Sequence, residues 1–157
     1  MQEPDYNHLK LQNQICFPFY ALSRLIIREY HPHLLPLGIT YPQYLVLMVL
    51  WESDQQTVNF ISDKLVLNTN TITPLLKRME QMGLISRQRS DSDERKVMVR
   101  LTPPGIELRE RASVIPMLLA DGLQNTPTTI EKLVEIRDHI QVLVEYLKKK
   151  DTHLSVR

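Results

Sequence analysis

The sequence predicts a mainly α-helical protein with a small β-hairpin wing, arranged as a winged helix-turn-helix. Three observations predict this fold class: two short helical segments adjoin in the middle of the chain, an alternating apolar pattern follows them, and longer apolar helices flank both. We expect one domain over residues 1–157, with the winged helix-turn-helix at 40–102 and dimerisation helices at 9–37 and 104–150.

The N-terminal third carries helical periodicity. Apolar residues recur at near-helical spacing over residues 9–33, which predicts one long helix. Pro18 either kinks this helix or lies in its first turn, because proline has no N–H for an interior helical bond. Thr40 is expected to cap a second, largely buried helix that has Pro42 in its first turn.

The helix-turn-helix itself is predicted in the middle of the chain. Residues 57–65 form a short amphipathic helix, and the break at residues 67–70 supplies Asn or Thr as the cap of a second helix over residues 71–82. Gly83 then occupies the position where a helix commonly ends in a left-handed residue. The second helix of such a pair is narrow enough to enter the major groove of DNA.

The wing is predicted from a change of period after Gly83. Apolar residues alternate over residues 84–89 and again over residues 97–102, which is typical of a β-hairpin. Residues 90–96 between them are polar and charged, so they are expected to form the tip.

Two further helices are expected in the C-terminal third. The first covers residues 106–123 and bends at Pro116, and the second covers residues 128–150 with a near-heptad apolar stripe. The apolar stripes of the first and last helices are too long for a monomer of this size. We therefore expect a homodimer.

The charge is distributed unevenly along the chain. The formal net charge is only +1, but residues 77–100 contain seven basic and four acidic side chains, a local balance of +3. Residues 1–60 contain three basic and five acidic side chains, a balance of −2. A locally basic helix and wing indicate double-stranded DNA as the partner.

The candidate DNA-binding residues belong to the second helix and the wing. Early residues of the helix would face base edges, later ones would reach phosphates, and Arg95 would approach the adjacent minor groove. The whole set is Asn70, Thr71, Thr73, Pro74, Lys77, Arg78, Arg87, Arg89, Asp93, Arg95 and Lys96. An ordinary amphipathic helix beside an ordinary hairpin is the alternative interpretation, and the order of elements with the basic excess favours DNA binding.

Cys16 is the single cysteine. It cannot form an intrachain disulfide, which agrees with a reducing compartment. No segment has the roughly 18 uncharged apolar residues of a membrane span, and residues 1–5 are acidic where a signal peptide is basic. We expect a cytoplasmic protein without a membrane partner, in which Cys16 is either an inert core residue or a reactive thiol.

The central motifs resemble those of the MarR family of repressors. The similar stretches are LNTNTITPLLKRME at 67–80, GLI at 83–85, DER at 93–95 and LT at 101–102. LKLQNQICF at 9–17 and GITYPQYLVL at 38–47 are similar to the organic-hydroperoxide-sensing branch of that family. The chain departs from this branch at residues 68–70, where Asp-Ser-Gly is common, and at Pro18.

The resemblance implies a redox-sensing site. In this branch the sensing cysteine, here Cys16, bonds to tyrosine hydroxyls, and the matching residues are Tyr30 and Tyr41 of the opposite subunit, with Tyr20 nearby. An organic hydroperoxide would oxidise Cys16 to a sulfenic acid, which would condense with a low-molecular-weight thiol or oxidise further. Release of operator DNA would follow.

Two other functions compete with this one. A cysteine-dependent peroxidase would need a dedicated activating site, and no His/Asp partner pattern or cofactor loop accompanies the cysteine. The five histidines lack a convincing metal spacing, although His31 and His33 could meet on a loop, so no cofactor or metal is expected. The second alternative is a repressor that responds to a small phenolic or lipophilic ligand, with Cys16 not involved.

Overall fold

The computed structural model describes residues 5–90, 93–123 and 128–154. The helices of this part are α1 (Phe17–Leu34), α2 (Tyr41–Glu52), α3 (Val58–Leu65), α4 (Thr69–Gln81), α5 (Pro103–Ala112), α6 (Ile115–Leu123) and α7 (Ile130–Leu154). The strands are β1 (Gln56–Thr57), β2 (Ile85–Arg89) and β3 (Val97–Leu101). The acidic N-terminal residues 1–4 and the wing-tip residues 91–92 lie outside the described residues.

The predicted long helix is wrong at its N-terminal end. Two 3-10 turns, Asn7–Leu9 and Leu11–Asn13, precede α1, which begins only at Phe17. Pro18 therefore lies in the first turn, where its missing N–H removes no helical bond. Apolar periodicity alone did not distinguish the short turns from a helix, because both place apolar residues at similar spacing.

The start of α2 agrees with its predicted cap. Thr40 and Gln43 form a capping box, in which the Thr40 backbone N–H donates to the Gln43 side chain at 2.8 Å. The helix is buried on most sides, as its composition predicted, and it lies at the centre of the hydrophobic core. α2 therefore supports the elements on both sides of it.

The helix-turn-helix is formed by α3 and α4. Thr57 caps α3 by accepting a hydrogen bond from the Phe60 N–H at 3.1 Å, and Val66, with φ +54°, ends that helix. Asn68 caps α4 by accepting from the Thr71 N–H at 3.0 Å, so the helix begins two residues earlier than predicted. Gly83, with φ +71°, ends α4 in the left-handed conformation that was predicted.

The predicted hairpin is part of a three-stranded antiparallel sheet of order β1-β3-β2. β2 and β3 pair from Ile85 with Leu101 to Arg89 with Val97, which confirms the wing. β1 pairs Gln56 with Val99 and was not predicted, because two residues are too short to show an alternating pattern. This short strand connects the base of the wing to the beginning of α3.

The predicted helix over residues 106–123 is two helices. α5 begins at Pro103 behind the Thr102 cap, and α6 begins at Ile115, so Pro116 lies in a first turn instead of at a bend. Proline has no N–H for an interior helical bond, which favours a new helix start at this point. α7 runs from Ile130 to Leu154, close to the prediction.

The hydrophobic core lies between α2, α3, α4, the sheet and α5. Its buried members include Leu47, Leu50, Ile61, Ile72, Leu76, Met79, Ile85, Val99 and Leu108. By contrast, α1, α6 and α7 expose large apolar side chains. In the part of the chain described, no single helix is long and apolar enough to span a membrane, and only Phe17–Leu37 with Tyr41–Glu52, bent by 74°, meet that test together.

Candidate nucleic-acid interface and thiol site

One face of α4 is exposed along its length. The opposite face is buried through Ile72, Leu76 and Met79, which fixes the rotation of the helix about its axis. The exposed side chains are those predicted to read DNA: Asn70, Thr71, Thr73, Pro74, Lys77 and Arg78. The structure thus brings these six residues to one surface.

The first turn of α4 is ordered by a residue outside the predicted set. Asn68 Oδ1 accepts hydrogen bonds from both the backbone N–H and the hydroxyl of Thr71, each at 3.0 Å. The Thr71 hydroxyl is therefore oriented and retains its oxygen lone pairs as acceptors. The sequence indicates Asn68 as a possible cap. Its hydrogen bond to the Thr71 hydroxyl could not be predicted from the sequence.

Asp93 organises the described part of the wing tip. It accepts from the backbone N–H and the Nε of Arg95 at 3.2 and 3.1 Å, and its carbonyl accepts from the Lys96 N–H at 2.8 Å. The hydrogen bond from Arg95 lowers the pKa of the Asp93 carboxyl. The Arg95 side chain is 91% exposed, so this ion pair orients a cation that is open to solvent.

A groove of about 300 Å³ separates the wing from the two helices. It brings together four predicted residues, Thr73, Arg87, Arg95 and Lys96, with Thr57, Val58, Asn59, Leu76 and Val97. The residues at the start of α3 were not predicted as part of this surface. They could have been suspected from their position at a helix N-terminus, where backbone N–H groups lack helical partners.

Arg87 is paired within the chain. Its Nε and one terminal nitrogen donate to Glu80 Oε2 at 3.0 and 2.7 Å, and its backbone N–H donates to Glu80 Oε1 at 3.1 Å. The hydrogen bond from the Arg87 side chain lowers the pKa of Glu80. Glu80 was not predicted as a site residue, because its partner lies on another element.

Arg89 lies apart from Arg87, on a second groove of the wing of about 430 Å³. This groove is lined by Thr57, Gln88, Arg89, Ser90, Lys96, Met98 and Arg100. Lys96 borders both grooves, and Arg100 adds an exposed cation that was not among the predicted site residues.

Cys16 is an exposed free thiol at the N-cap of α1. Its exposure contradicts the interpretation of this residue as an inert core cysteine within one chain. The Tyr20 backbone N–H donates to the Cys16 carbonyl at 3.2 Å, which closes the first turn of the helix, and the Tyr20 side chain is exposed. The thiol is therefore at the positive end of a helix and open to solvent.

Tyr30 and Tyr41 form an aromatic cluster with Tyr44. The ring centroids of Tyr30 and Tyr41 are 4.6 Å apart, and those of Tyr30 and Tyr44 are 5.9 Å apart. Burial raises the pKa of all three phenols, and the neighbouring Tyr30 raises those of Tyr41 and Tyr44 further. Protonated phenols can donate hydrogen bonds, as the predicted partners of a thiolate must.

Cys16 and Tyr30 are far apart within one chain. They are separated by 14 residues of α1, which corresponds to about 21 Å along a helix. A thiolate–phenol hydrogen bond therefore requires Tyr30 of a second copy. Beside Tyr41 lies an open, mainly apolar pocket of about 340 Å³, lined by Ile27, His31, Leu34, Leu35, Gly38, Ile39, Thr40, Tyr41 and Pro42.

A helix-turn-helix with an exposed polar helix and a cationic three-stranded wing defines a class of DNA-binding regulatory proteins. Comparison with known proteins agrees with this class. The family of transcriptional regulators described as SarA/Rot matches residues 29–111, more than half of the chain. A Bacillus subtilis relative, the organic hydroperoxide resistance transcriptional regulator, is 44% identical over 95% of this chain and 99% of its own.

Solved structures of AbfR from Staphylococcus epidermidis are similar as well. Reduced AbfR bound to DNA is 37% identical, covers 92% of this chain and 96% of its own, and has a TM-score of 0.74. The structure of disulfide-formed AbfR is 36% identical, covers 87% of this chain and 94% of its own, and has a TM-score of 0.60. The chain belongs to the MarR family of winged-helix transcriptional regulators, in the branch of the organic hydroperoxide resistance regulators. It is a regulator and not an enzyme.

Proposed function

We propose that the chain is a cytoplasmic transcriptional repressor that senses organic hydroperoxides through Cys16 and releases operator DNA when that thiol is oxidised. The observation that carries this proposal is the exposed lone thiol at the start of α1 in a winged-helix chain. The similarity to the hydroperoxide resistance regulator and to AbfR, which is known in reduced and disulfide forms, supports it.

The DNA-binding role is assigned to α4 and the wing. Asn70, Thr71, Thr73 and Pro74 face base edges of the major groove, and Lys77 and Arg78 lie beside phosphates. Arg95 reaches the adjacent minor groove, and the other wing cations are Arg89 and Lys96. Asp93 and Arg87 belong to this surface through their ion pairs and not through exposed charge.

The active form is a homodimer held by residues 9–37 and 104–150. The large exposed apolar side chains of α1, α6 and α7 support this assignment, since Ile15 just before α1 is 83% exposed and Val142 on α7 is 73% exposed. In the dimer Tyr30 and Tyr41 of one copy bond to Cys16 of the other, with Tyr20 nearby. The separation of Cys16 and Tyr30 within one chain is consistent with that exchange.

The sensing reaction starts with the Cys16 thiolate. Its sulfur attacks one oxygen of the peroxide, the O–O bond breaks, and the alkoxide that leaves takes a proton to become an alcohol. The resulting sulfenic acid condenses with a low-molecular-weight thiol, which forms an S–S bond and releases water. The chain has no second cysteine, so the sulfenic acid ends as this mixed disulfide or, with further peroxide, as an over-oxidised sulfur acid.

Oxidation is coupled to DNA release through the dimer interface. A polar adduct at Cys16 disrupts packing between the copies and changes the separation of the two α4 helices. That separation must match about one helical turn of DNA. A dimer with a different separation cannot place both helices in successive major grooves.

A second candidate function is supported by the apolar pocket beside Tyr41. Its volume of about 340 Å³ lies in the range of small-molecule sites, so a phenolic or lipophilic ligand bound there could regulate the same dimer without Cys16.

One gel-shift experiment separates the two candidates. The probe is the duplex upstream of the chain's own gene, and wild type and Cys16→Ser are compared with and without cumene hydroperoxide. We expect both proteins to bind and only wild type to dissociate, with dithiothreitol restoring binding. Dissociation of Cys16→Ser at the same peroxide concentration would exclude the thiol sensor and favour the ligand-regulated alternative.

A further inference from the structure

The contact between Glu80 and Arg87 joins the two elements that are proposed to touch DNA. Glu80 lies in the last turn of α4, and Arg87 is the middle residue of β2. One carboxylate accepts three hydrogen bonds from Arg87, two from its guanidinium and one from its backbone N–H, all between 2.7 and 3.1 Å. These bonds therefore fix both the side chain and the strand of Arg87.

The backbone hydrogen bond is informative because β2 is an edge strand. In the order β1-β3-β2, only one side of β2 pairs with a strand, so the N–H groups on its other side need different partners. Glu80 accepts a hydrogen bond from the Arg87 N–H and thereby connects the edge strand of the wing to α4. A surface ion pair between two flexible side chains would not hold the strand in this way.

The surroundings of Arg87 show why its placement matters for DNA binding. It lines the groove between α4 and the wing together with Thr73, Arg95 and Lys96, which are residues of the proposed interface. Its side chain is only 23% exposed, whereas that of Arg95 is 91% exposed. Arg87 therefore lies at the base of the groove, and Arg95 projects from its edge.

We propose that Glu80 is a positioning residue that fixes the orientation of the wing relative to α4 by holding Arg87. α4 and the wing then enter the major and minor grooves together as one rigid unit. This inference rests on the proposed DNA-binding function. The opposing view is that Arg87 contacts a DNA phosphate directly and that Glu80 merely neutralises part of its charge. The two views predict opposite effects of removing the Glu80 carboxylate.

The test measures affinity for the duplex upstream of the chain's own gene and for a mixed-sequence duplex of equal length, each at several salt concentrations. We expect Glu80→Gln to weaken binding to the upstream duplex about fivefold, although it removes a negative charge near DNA. The ratio of the two affinities falls, and the salt dependence stays as in wild type, because no phosphate contact is lost. Tighter or unchanged binding by Glu80→Gln would overturn the proposal.

Arg87→Lys supplies the second arm. Lysine keeps the charge that a phosphate contact needs but cannot donate through the planar fork of arginine. We expect Arg87→Lys to lose affinity about as much as Glu80→Gln, and the double variant to be no weaker than either, because both changes break one contact. Additive losses would contradict the proposal. If Glu80→Gln fails to fold in a thermal melt, Arg87→Lys alone decides: affinity equal to that of wild type would overturn the proposal.

Asp63→Asn is the matched control, since it removes an exposed carboxylate from α3 in the same DNA-binding region. We expect it to bind as wild type or slightly tighter. Wild type without any salt-sensitive affinity for DNA would refute the proposed function itself. A wild type that binds while Glu80→Gln does not weaken binding would refute only the positioning role of Glu80.

Discussion

The clustered phenols of Tyr30, Tyr41 and Tyr44, of which the first two are partly buried and the third is buried, share one property that bears on sensing and on stability. Burial raises the pKa of each, so each holds its proton to a higher pH than a free tyrosine does. A protonated phenol is a hydrogen-bond donor, and a donor is what a thiolate or a developing alkoxide requires. The cluster is thus suited to the role that the resemblance assigns to Tyr30 and Tyr41.

The same pKa shifts predict an alkaline loss of stability. The unfolded chain releases phenol protons near pH 10, while the folded chain retains them to higher pH, so the stability contribution is complete below pH 10 and is lost as pH rises through the folded values. Tyr41→Phe removes one of these titrations. We expect its free energy of unfolding, measured in urea, to fall less steeply above pH 9.5 than that of wild type.

Tyr6→Phe is the control for this measurement, because Tyr6 lies outside the proposed dimerisation segments and its side chain is 61% exposed. It should leave the alkaline slope as in wild type. Equal slopes for wild type and Tyr41→Phe would show that burial of Tyr41 does not hold its proton in the folded state.

Individual site residues differed in how far local sequence revealed them. Thr40 was predicted as a cap from its residue type and from Pro42 in the first turn that follows it. Asn68 was recognisable as a possible cap from its residue type and its place in the break before α4, whereas the bond between Glu80 and Arg87 spans an intervening turn and belongs to no local motif. Helix caps were therefore recognisable from the local sequence, and contacts between separate elements were not.

At the scale of elements, the junction between α5 and the base of the wing depends on one close approach. Gly105 lies in the first turn of α5, and a Cβ there would meet the backbone oxygen of Leu84 at 2.1 Å. The Gly105 carbonyl also accepts the indole N–H of Trp51 at 2.9 Å. A glycine in this first turn therefore lets three segments meet: α2, α5 and the chain before β2.

We expect Gly105→Ala to destabilise the fold by about 2 kcal/mol, because a methyl group against backbone forces the elements apart. Thermal and urea unfolding measure the change. Gly122→Ala in α6 is the matched control, since among the described residues, apart from its chain neighbours and its own helix backbone, no atom lies within 4 Å of its added Cβ. Alanine there should be neutral or stabilising by roughly 0.5 kcal/mol. Equal stability of the two variants would contradict the tight packing at Gly105.

The boundaries of the elements show which local signals were strong. Prolines in the first turns of α1, α2, α5 and α6 mark helix starts, and two of them, Pro18 and Pro116, were also compatible with bends. α4 begins at Thr69, directly after its Asn68 cap and two residues earlier than predicted. Strand β1 gave no local signal, because its two residues are held only by pairing with β3.

For the whole molecule, the proposed homodimer doubles every DNA contact. Each phosphate neutralised by a side chain contributes about one to the slope of log affinity against log salt. Lys77→Gln removes its contact from both copies, so we expect the slope to decrease by about two. Fluorescence anisotropy of the upstream duplex at 50 to 200 mM salt, roughly the range over which such slopes are resolved, provides the measurement.

Lys149→Gln on α7 is the control, because it removes an exposed cation far along the chain from α4 and the wing. Its slope should equal that of wild type. A decrease of only one for Lys77→Gln, or light scattering that shows a monomer at micromolar concentration, would refute the dimeric binding mode.

The winged helix-turn-helix with its two-stranded hairpin, the exposed polar face of α4 and the presence of one lone thiol were all determined by the sequence itself. Periodicity, caps and turn residues act over a few positions, so these features can be inferred locally. Only the tertiary structure decided that β1 joins the wing, that Glu80 holds Arg87, and that Tyr30 of α1 packs against Tyr41 and Tyr44 of α2. These features depend on how separate elements pack, which no local pattern specifies.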